Sequence, residues 1–231
     1  MVGLISMLMK RLQAYIAKQL GHPAGGAGRL LLRFLNRENA TMNQLALTTL
    51  AVQPQQHILE IGFGGGDLIQ RLRQTERSLH ITGIDPAPAS LAVGQNRFKS
   101  AIASGQLSLY AAVAEAIPLP DQTVDAIVTV NTVYFWPAVE TGLQECHRCL
   151  KPGGKLAISY TNKAFLEARG FTQHGFKAYD VAEMETALKT AGFIEIQTSS
   201  DESNSNGQFF CTSGVATPAP NRDNFSSHLP G

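Results

Sequence analysis

A glycine-rich segment flanked by carboxylates is the part of this sequence best suited to hold a ligand. It reads Glu60-Ile61-Gly62-Phe63-Gly64-Gly65-Gly66-Asp67. Glycine lets a backbone approach a bound molecule closely, because no Cβ stands in the way. Asp67 is expected to cap the helix that follows, and the exposed amides at a helix start can meet polar ligand groups. The segment therefore predicts a ligand-binding loop between a strand and a helix.

The spacing of these glycines separates two classes of nucleotide ligand. A dinucleotide loop has the pattern G-x-G-x-x-G, which would place its third glycine at position 67, where this chain has Asp67. Asp85 ends the next predicted strand, where a carboxylate can accept hydrogen bonds from both hydroxyls of a ribose. Nicotinamide and adenosyl ligands both contain a ribose, so Asp85 alone does not discriminate between them. Glu60 and the displaced third glycine favour an adenosyl ligand without a pyrophosphate.

Further side chains that could take part in binding or catalysis lie in the second half of the chain. Tyr134 and Trp136 belong to an aromatic run that could hold an apolar substrate or a cationic amine, or could pack against a helix. His174 could bind the substrate and accept its proton, because a histidine pKa lies near neutrality; a surface histidine is the alternative. Tyr134 is the second candidate for a catalytic side chain. Cys146 and Cys149 share a helix face without a second pair at zinc spacing, so we expect core packing and no metal.

Short apolar strands alternate with helices from about residue 54 onward, which predicts a mostly parallel sheet covered on both faces. The predicted strands are 57–63, 80–85, 107–113, 126–131, 155–160, 193–198 and 208–213. The predicted helices are 68–77, 90–103, 139–150 and 181–191, and a Lys-Pro-Gly-Gly turn at 151–154 precedes the fifth strand. These elements make an α/β fold with the glycine loop after its first strand.

Three regions follow from this pattern. Residues 1–53 are interpreted as an N-terminal helical section, with predicted helices at 2–20, 29–36 and 41–51. Residues 54–216 are interpreted as the ligand-binding domain. Residues 217–231 are rich in Pro, Asn and Ser and are interpreted as a loose tail. No apolar run is long enough for a transmembrane helix.

Charge and cysteine content bear on where the protein is located and what its N-terminal section could contact. Residues 1–40 hold six bases and one acid, although the whole chain carries only +1. A basic amphipathic helix of this kind could contact an anionic lipid surface weakly, and a solvated helix face is the alternative. The charges follow the first apolar run, so no secretory signal is predicted. Three cysteines do not suggest a disulfide framework, and the expected location is the cytoplasm.

Four segments in order resemble the motifs of class I S-adenosylmethionine-dependent methyltransferases. They are ILEIGFGGG, TGIDPAP, AEAIPLPDQTVDAIVTVNTVYFW and CLKPGGKLAIS, and the resemblance covers residues 55–215. It is strongest to the bacterial small-molecule subgroup (type 11) that includes the ubiquinone/menaquinone C-methyltransferases. The segment GGAGRLLLRFLNRENATMNQLAL also resembles the N-terminal lid of uncharacterised bacterial members of that subgroup. The family implies a Rossmann-like, seven-stranded sheet of order 3-2-1-4-5-7-6, with strand seven antiparallel.

The resemblance also implies roles for individual residues. Asp85 would hold the ribose, Pro86 would lie beside the adenine, and Asn131 would lie beside the reacting methyl group. The residues around the methionine part of S-adenosylmethionine would be Glu60, Gly62, Phe63, Gly64 and Gly66. Ala114 and Glu115 match the loop near the adenine amino group, but Ala112 and Val113 stand where many relatives have Gly-Asp. The adenine contact must then come from the backbone or from Glu115.

The expected activity is methyl transfer to a small molecule through an oxygen, nitrogen or carbon nucleophile. Asn131 and Tyr134 have the spacing of an Asn-Pro-Pro-Tyr motif that acts on amino groups of bases and proteins, but both prolines are missing. Nucleic acid is therefore not an expected partner. A non-catalytic module that keeps the cofactor fold and a nicotinamide-dependent oxidoreductase are the remaining alternatives. The sequence gives no indication of oligomeric state.

Overall fold

The computed structural model describes residues 39–174, 176–201 and 209–217, without the side chain of His174. Its strands are β1 (His57–Ile61), β2 (His80–Ile84), β3 (Leu107–Tyr110), β4 (Val124–Val130), β5 (Leu150–Thr161), β6 (Phe193–Asp201) and β7 (Phe209–Ala216). Its helices are α1 (Ala40–Leu50), α2 (Asp67–Thr75), α3 (Pro88–Arg97), α4 (Lys99–Ala103), α5 (Val139–Cys149), α6 (Lys163–Ala168) and α7 (Val181–Thr190). Short 3₁₀ helices occupy Val133–Phe135 and Phe171–His174.

All seven strands form one sheet of order β3-β2-β1-β4-β5-β7-β6. The first five strands pair in parallel, and β7 is antiparallel to both β5 and β6. This arrangement confirms the predicted strand order and the predicted antiparallel seventh strand. The carboxyl ends of β1, β2 and β4 are neighbours at one edge, where the loops after parallel strands form a ligand crevice.

Helices cover both faces of the sheet because alternate strand residues point to opposite sides. Ile58 on one face packs with apolar residues of α1, α2 and α4. Leu59 and Ile61 on the other face pack with apolar residues of α5 and α7. Helix α1 therefore lies in the same core as the sheet. The helices predicted at 2–20 and 29–36, and all of the predicted tail except Thr217, lie outside the described residues.

The structure corrects several element boundaries. The helix predicted over 90–103 is two helices, which meet at Phe98, a residue with φ −115°. Strand β5 begins at Leu150, so the Lys-Pro-Gly-Gly segment lies inside a strand and not before one. There the pairing with β4 shifts from Val124 with Leu150 to Ala126 with Lys155, which leaves the four residues 151–154 as a bulge. Helix α6 and both 3₁₀ helices were missed.

Among the described residues, the structure contains no helix long and apolar enough to cross a membrane. The three cysteines are all buried, as expected for core packing. Burial raises the pKa of the Cys149 thiol to about 11, and that of the Cys146 thiol higher still. These thiols are therefore protonated near neutral pH in the folded chain, which agrees with core packing.

Candidate functional site

The glycine loop begins where β1 ends. Its glycines are needed because they permit close contact with neighbouring loops and backbone φ angles that are positive. Gly62 has φ +73°, and a Cβ built there would lie 2.3 Å from Cγ2 of Thr132 in the loop after β4. Its N–H donates to the carbonyl of Ile84 at 2.7 Å, which ties the loop to the end of β2. A side chain at this position would separate loops that are in close contact.

The C-terminal end of the glycine loop contacts residues at the junction of α3 and α4. Gly66 has φ +75°, and a Cβ there would lie 2.5 Å from the ring of Phe98. Arg97 donates from Nη1 to the carbonyl of Gly65 at 2.8 Å. Gly66 is also the residue that caps α2. The prediction that Asp67 caps this helix was wrong, because Asp67 is already helical and its carboxylate bonds to Arg71 Nε at 2.6 Å.

Asp85 connects the end of β2 to the glycine loop. Its Oδ2 accepts from the N–H of Gly64 at 2.9 Å, and its Oδ1 accepts from the N–H of Ala87 at 2.8 Å. The carboxylate is buried. Pro86, which follows it, is exposed at the same edge of the sheet.

Glu60 is a buried acid in the middle of the sheet's carboxyl edge, with 4% of its surface exposed. Burial raises the pKa of its carboxyl group to about 8, and the carboxylates of Asp85 and Asp67 add to the effect. Its Oε2 has no hydrogen-bond partner among the described residues. An unpaired buried acceptor is costly, so this oxygen is suited to receive a donor from a bound molecule.

Asn131 follows β4 with a left-handed backbone (φ +57°) and carries a hydrogen-bond network. Its Oδ1 accepts from the hydroxyl of Tyr134 at 2.8 Å and from that of Thr161 at 3.2 Å. Its Nδ2 donates to Oδ1 of Asn39 at 2.8 Å and to the sulfur of Met42 at 3.1 Å. Asn131 thus joins the ends of β4 and β5 to the start of α1.

Tyr134 and Trp136 are both buried. The Tyr134 hydroxyl also accepts from the N–H of Thr161, and burial raises the pKa of this phenol well above its usual range. A Cβ on Gly142 of α5 would lie 2.6 Å from the Trp136 indole, so that ring packs against a helix. The structure therefore shows packing roles for both rings, and their contact with a substrate stays a prediction.

His174 ends the second 3₁₀ helix, and its side chain is not among those described. Phe176 and Lys177, two and three residues after it, contact the aromatic run. Phe176 packs on Phe135 and Tyr134 with ring centroids 4.7 and 5.8 Å apart, and Lys177 N–H donates to the carbonyl of Tyr134 at 3.1 Å. The roles predicted for His174 stay predictions.

The loop after β3 carries the residues predicted near the adenine. Ala114 is buried beside Gly142 of α5. Glu115 directs Oε1 to the N–H of Ala138, at the start of that helix, at 3.2 Å. Val113 is 42% exposed. Glu115 thus anchors α5, a role that the sequence did not indicate.

The side chain of Phe63 points into the core. It is buried, and its ring fills the space beside Gly83 of β2 and Gly94 of α3. Only its backbone belongs to the loop surface. The described residues contain no group of three or more His, Cys, Asp or Glu side chains able to hold a metal ion.

Four residues of this region were missed by sequence reasoning: Asn39, Asn43, Arg97 and Thr161. Asn39 and Asn43 are four residues apart, a spacing that could have indicated a shared helix face. Thr161 ends β5 at the crevice edge, where polar residues merit attention. Arg97 gave no signal, because its bond to Gly65 depends on how α3 packs.

Comparison with known proteins agrees with this geometry. A family profile described as a methyltransferase domain matches residues 59–158. The uncharacterized methyltransferase YdaC of Bacillus subtilis is 34% identical over 122 residues, which cover 53% of this chain and 65% of YdaC. The ubiquinone/menaquinone biosynthesis C-methyltransferase UbiE of Geobacter sulfurreducens is 32% identical over 102 residues, covering 44% of this chain and 40% of UbiE. The chain spans about half the length of the curated relatives it matches.

Solved structures show the same architecture. One chain from the complex that contains the Haloferax volcanii Trm112 methyltransferase activator superposes with a TM-score of 0.71 at 18% identity, covering 81% of this chain and 94% of that one. Phosphoethanolamine N-methyltransferase 2 of Haemonchus contortus, solved with S-adenosylhomocysteine, superposes with a TM-score of 0.65 at 16% identity, covering 77% and 53%. At these identities the likeness concerns the fold. Residues 59–158 thus match a methyltransferase domain, within a seven-stranded sheet of order β3-β2-β1-β4-β5-β7-β6.

Proposed function

We propose that this chain transfers a methyl group from S-adenosylmethionine to a small-molecule acceptor. The observation that carries the proposal is the buried carboxyl of Glu60, whose Oε2 lacks a partner among the described residues, beside a glycine loop joined to Asp85. An ammonium group donates to such an oxygen and favours the ionised form of the carboxyl group, and the methionine part of S-adenosylmethionine carries an ammonium group. The named methyltransferases among the relatives support the same activity.

The residues present fit this cofactor. Glu60, Gly62, Gly64 and Gly66, with the backbone of Phe63, would surround its methionine part. Asp85 would accept from the ribose hydroxyls, although its two oxygens also hold the amides of Gly64 and Ala87. A carboxylate can accept about four hydrogen bonds, so both sets of contacts can be satisfied.

The adenine edge would be met mainly by backbone. Pro86 is exposed beside Asp85, and the backbone of residues 112–115 follows β3 at the neighbouring position. Val113 offers no polar group, and Glu115 uses Oε1 to hold Ala138. Backbone amides and carbonyls are sufficient to recognise an adenine edge, because they include both donors and acceptors.

The cofactor, when bound, supplies a methyl group on a sulfonium that departs as a neutral thioether. This donor is already activated, so the protein's contribution is to orient the acceptor and exclude water. Asn131 would lie beside the methyl group, with its carboxamide held by Tyr134 and Thr161. A base is needed only when the acceptor arrives protonated. His174 is the candidate for that role, since burial keeps Tyr134 protonated.

Thermal unfolding and calorimetry with S-adenosylhomocysteine and with NADH test the cofactor assignment. Ligand at about 100 times its Kd stabilises the native state by about 2.7 kcal/mol, which raises Tm by about 5–10 °C for a chain of this size. We expect this shift with S-adenosylhomocysteine and none with NADH. A shift with NADH alone would favour the oxidoreductase. Absence of binding to both would favour the non-catalytic scaffold.

The acceptor class is tested with radiolabelled S-adenosylmethionine and three small-molecule probes: a phenol, a primary amine and an electron-rich aromatic carbon nucleophile. We expect label in at least one small-molecule product. Label incorporated only into added nucleic acid or protein would contradict a small-molecule substrate.

A further inference from the structure

Helix α1 presents two asparagines to the candidate site. Asn39 immediately precedes the helix and Asn43 lies four residues later, so both side chains project from the same face. Each contacts a different loop. Asn39 Oδ1 accepts from Asn131 after β4 at 2.8 Å, and Asn43 Nδ2 donates to Asp67 after the glycine loop at 2.9 Å. The two contacts connect residues 92 and 24 positions apart.

Asn39 occupies the helix-capping position without capping the helix. An asparagine at this position ordinarily accepts a hydrogen bond from a backbone N–H in the first turn, which stabilises the helix. The side chain of Asn39 makes no such bond, and its Oδ1 is directed to Asn131 instead. Its orientation therefore serves a tertiary contact at the end of β4.

Asn43 is a buried amide, 4% exposed, in a face otherwise made of apolar residues. Its partner Asp67 is the first residue of α2, directly after the last glycine of the loop. The same Oδ2 atom of Asp67 accepts from Arg71 at 2.6 Å. The carboxylate is thus held from two directions, and Asn43 is the contact that comes from outside α2.

The orientation of the Asn131 carboxamide follows from its neighbours. Met42 offers only a thioether sulfur, which accepts and cannot donate, so the amide nitrogen must face α1. The Tyr134 hydroxyl accepts from Thr161 N–H and needs an acceptor for its own proton, which Asn131 Oδ1 provides. The Asn39 contact completes a network in which Asn131 has one arrangement.

We propose that Asn39 and Asn43 are positioning residues that fix the glycine loop and the loop after β4 relative to each other for binding of the methyl donor. The inference rests on the proposed function. Helix α1 then forms a wall of the donor site and determines the distance between its two loops. Neither asparagine needs to touch the donor, because Asn43 acts through Asp67 and Asn39 acts through Asn131.

The test is calorimetry of S-adenosylhomocysteine binding to the full chain and to Asn43→Ala, Asn39→Ala and Asn39→Asp. Gln44→Ala is the matched control, since it removes an exposed amide from the same helix. Removing Asn43 should raise Kd about 3- to 10-fold, the effect of one hydrogen bond. Asn39→Ala should raise Kd by a similar factor, and Asn39→Asp should restore it because a carboxylate also accepts from Asn131. Gln44→Ala should leave Kd unchanged.

Double-variant cycles separate positioning from a purely structural role. The Kd effects of Asn43→Ala and Asp67→Ala, and those of Asn39→Ala and Asn131→Ala, should be less than additive. Variants that lose thermal stability while binding S-adenosylhomocysteine with the native Kd would overturn the inference. Asn39→Asp binding as weakly as Asn39→Ala would overturn it for Asn39. If the native chain itself fails to bind S-adenosylhomocysteine, the proposed function fails first, which is a separate result.

Discussion

The backbone N–H of Gly64 donates to the side chain of Asp85 at 2.9 Å, across the ends of two adjacent parallel strands. A residue predicted to bind the ribose therefore also holds the loop predicted to bind the methionine part. The second carboxylate oxygen accepts from Ala87 at the start of the next helix. Loop shape and ligand affinity are consequently linked through one carboxylate.

Replacing Asp85 with alanine should lower both affinity and stability. Hydrogen bonds to a charged group contribute about 1.5–3 kcal/mol, so Kd for S-adenosylhomocysteine should rise about 10- to 100-fold. Two backbone N–H groups also lose their acceptor, and Tm should fall. Calorimetry and thermal unfolding measure the two effects. Asp121→Ala, which removes an exposed carboxylate paired with Arg148, is the control. An unchanged Kd would show that Asp85 contributes only to the fold.

Glu60 should make stability depend on pH between about 4.5 and 8. Its pKa is raised to about 8 in the folded chain, so in this window the unfolded chain releases a proton that the folded chain retains. The free energy of unfolding therefore falls as pH rises through the window and levels off above it. Glu60→Gln should flatten this dependence. Thermal unfolding of both chains from pH 5 to 9 tests it, and parallel pH profiles would contradict the prediction.

Gly62→Ala should be strongly destabilising. The positive φ and the 2.3 Å approach of Thr132 Cγ2 together should cost about 2–4 kcal/mol of unfolding free energy. Gly105→Ala is a matched control, since Gly105 has φ +75° with no atom within 4 Å of the built Cβ. Thr132→Ser removes the obstructing methyl group and should recover part of the loss in the double variant. Denaturant unfolding measures each step. Equal losses at Gly62 and Gly105 would show that the close approach has no energetic effect.

Tyr134→Phe should lower stability without changing the ionisation of the site. The variant leaves the N–H of Thr161 and one acceptor site of Asn131 without the hydroxyl, which should cost about 1–3 kcal/mol. Because burial keeps the native phenol protonated, the pH dependence of methyl transfer should keep its shape. Denaturant unfolding and a pH–rate profile measure the two effects. Loss of a titration step in Tyr134→Phe would instead support a catalytic role for the phenol.

Removal of residues 1–36 distinguishes the two interpretations of the basic N-terminal section. The shortened chain retains Asn39 and α1, so it should still bind S-adenosylhomocysteine. If the removed section is a lid, methyl transfer falls because water enters the crevice. If it contacts lipid, sedimentation with anionic vesicles is lost while transfer persists. Full transfer together with unchanged sedimentation would contradict both interpretations.

The sequence by itself determined the seven strands, their main helices and where the ligand loop lies. Alternating apolar residues predict strands, and glycines after β1 predict a close approach, because both properties depend on residues adjacent in the chain. The position of Asp85 after the second strand followed from the same local pattern. These predictions needed no knowledge of distant contacts.

Tertiary structure alone decided which side chains meet. The pairs Asn39 with Asn131 and Asn43 with Asp67 arise because α1 packs across the sheet, which no local spacing specifies. The anchoring of α5 by Glu115 likewise joins residues 23 positions apart, and the burial of Trp136 depends on how α5 packs. Hydrogen bonds between distant residues depend on the positions of whole elements, and those positions are set by the packing of the entire core.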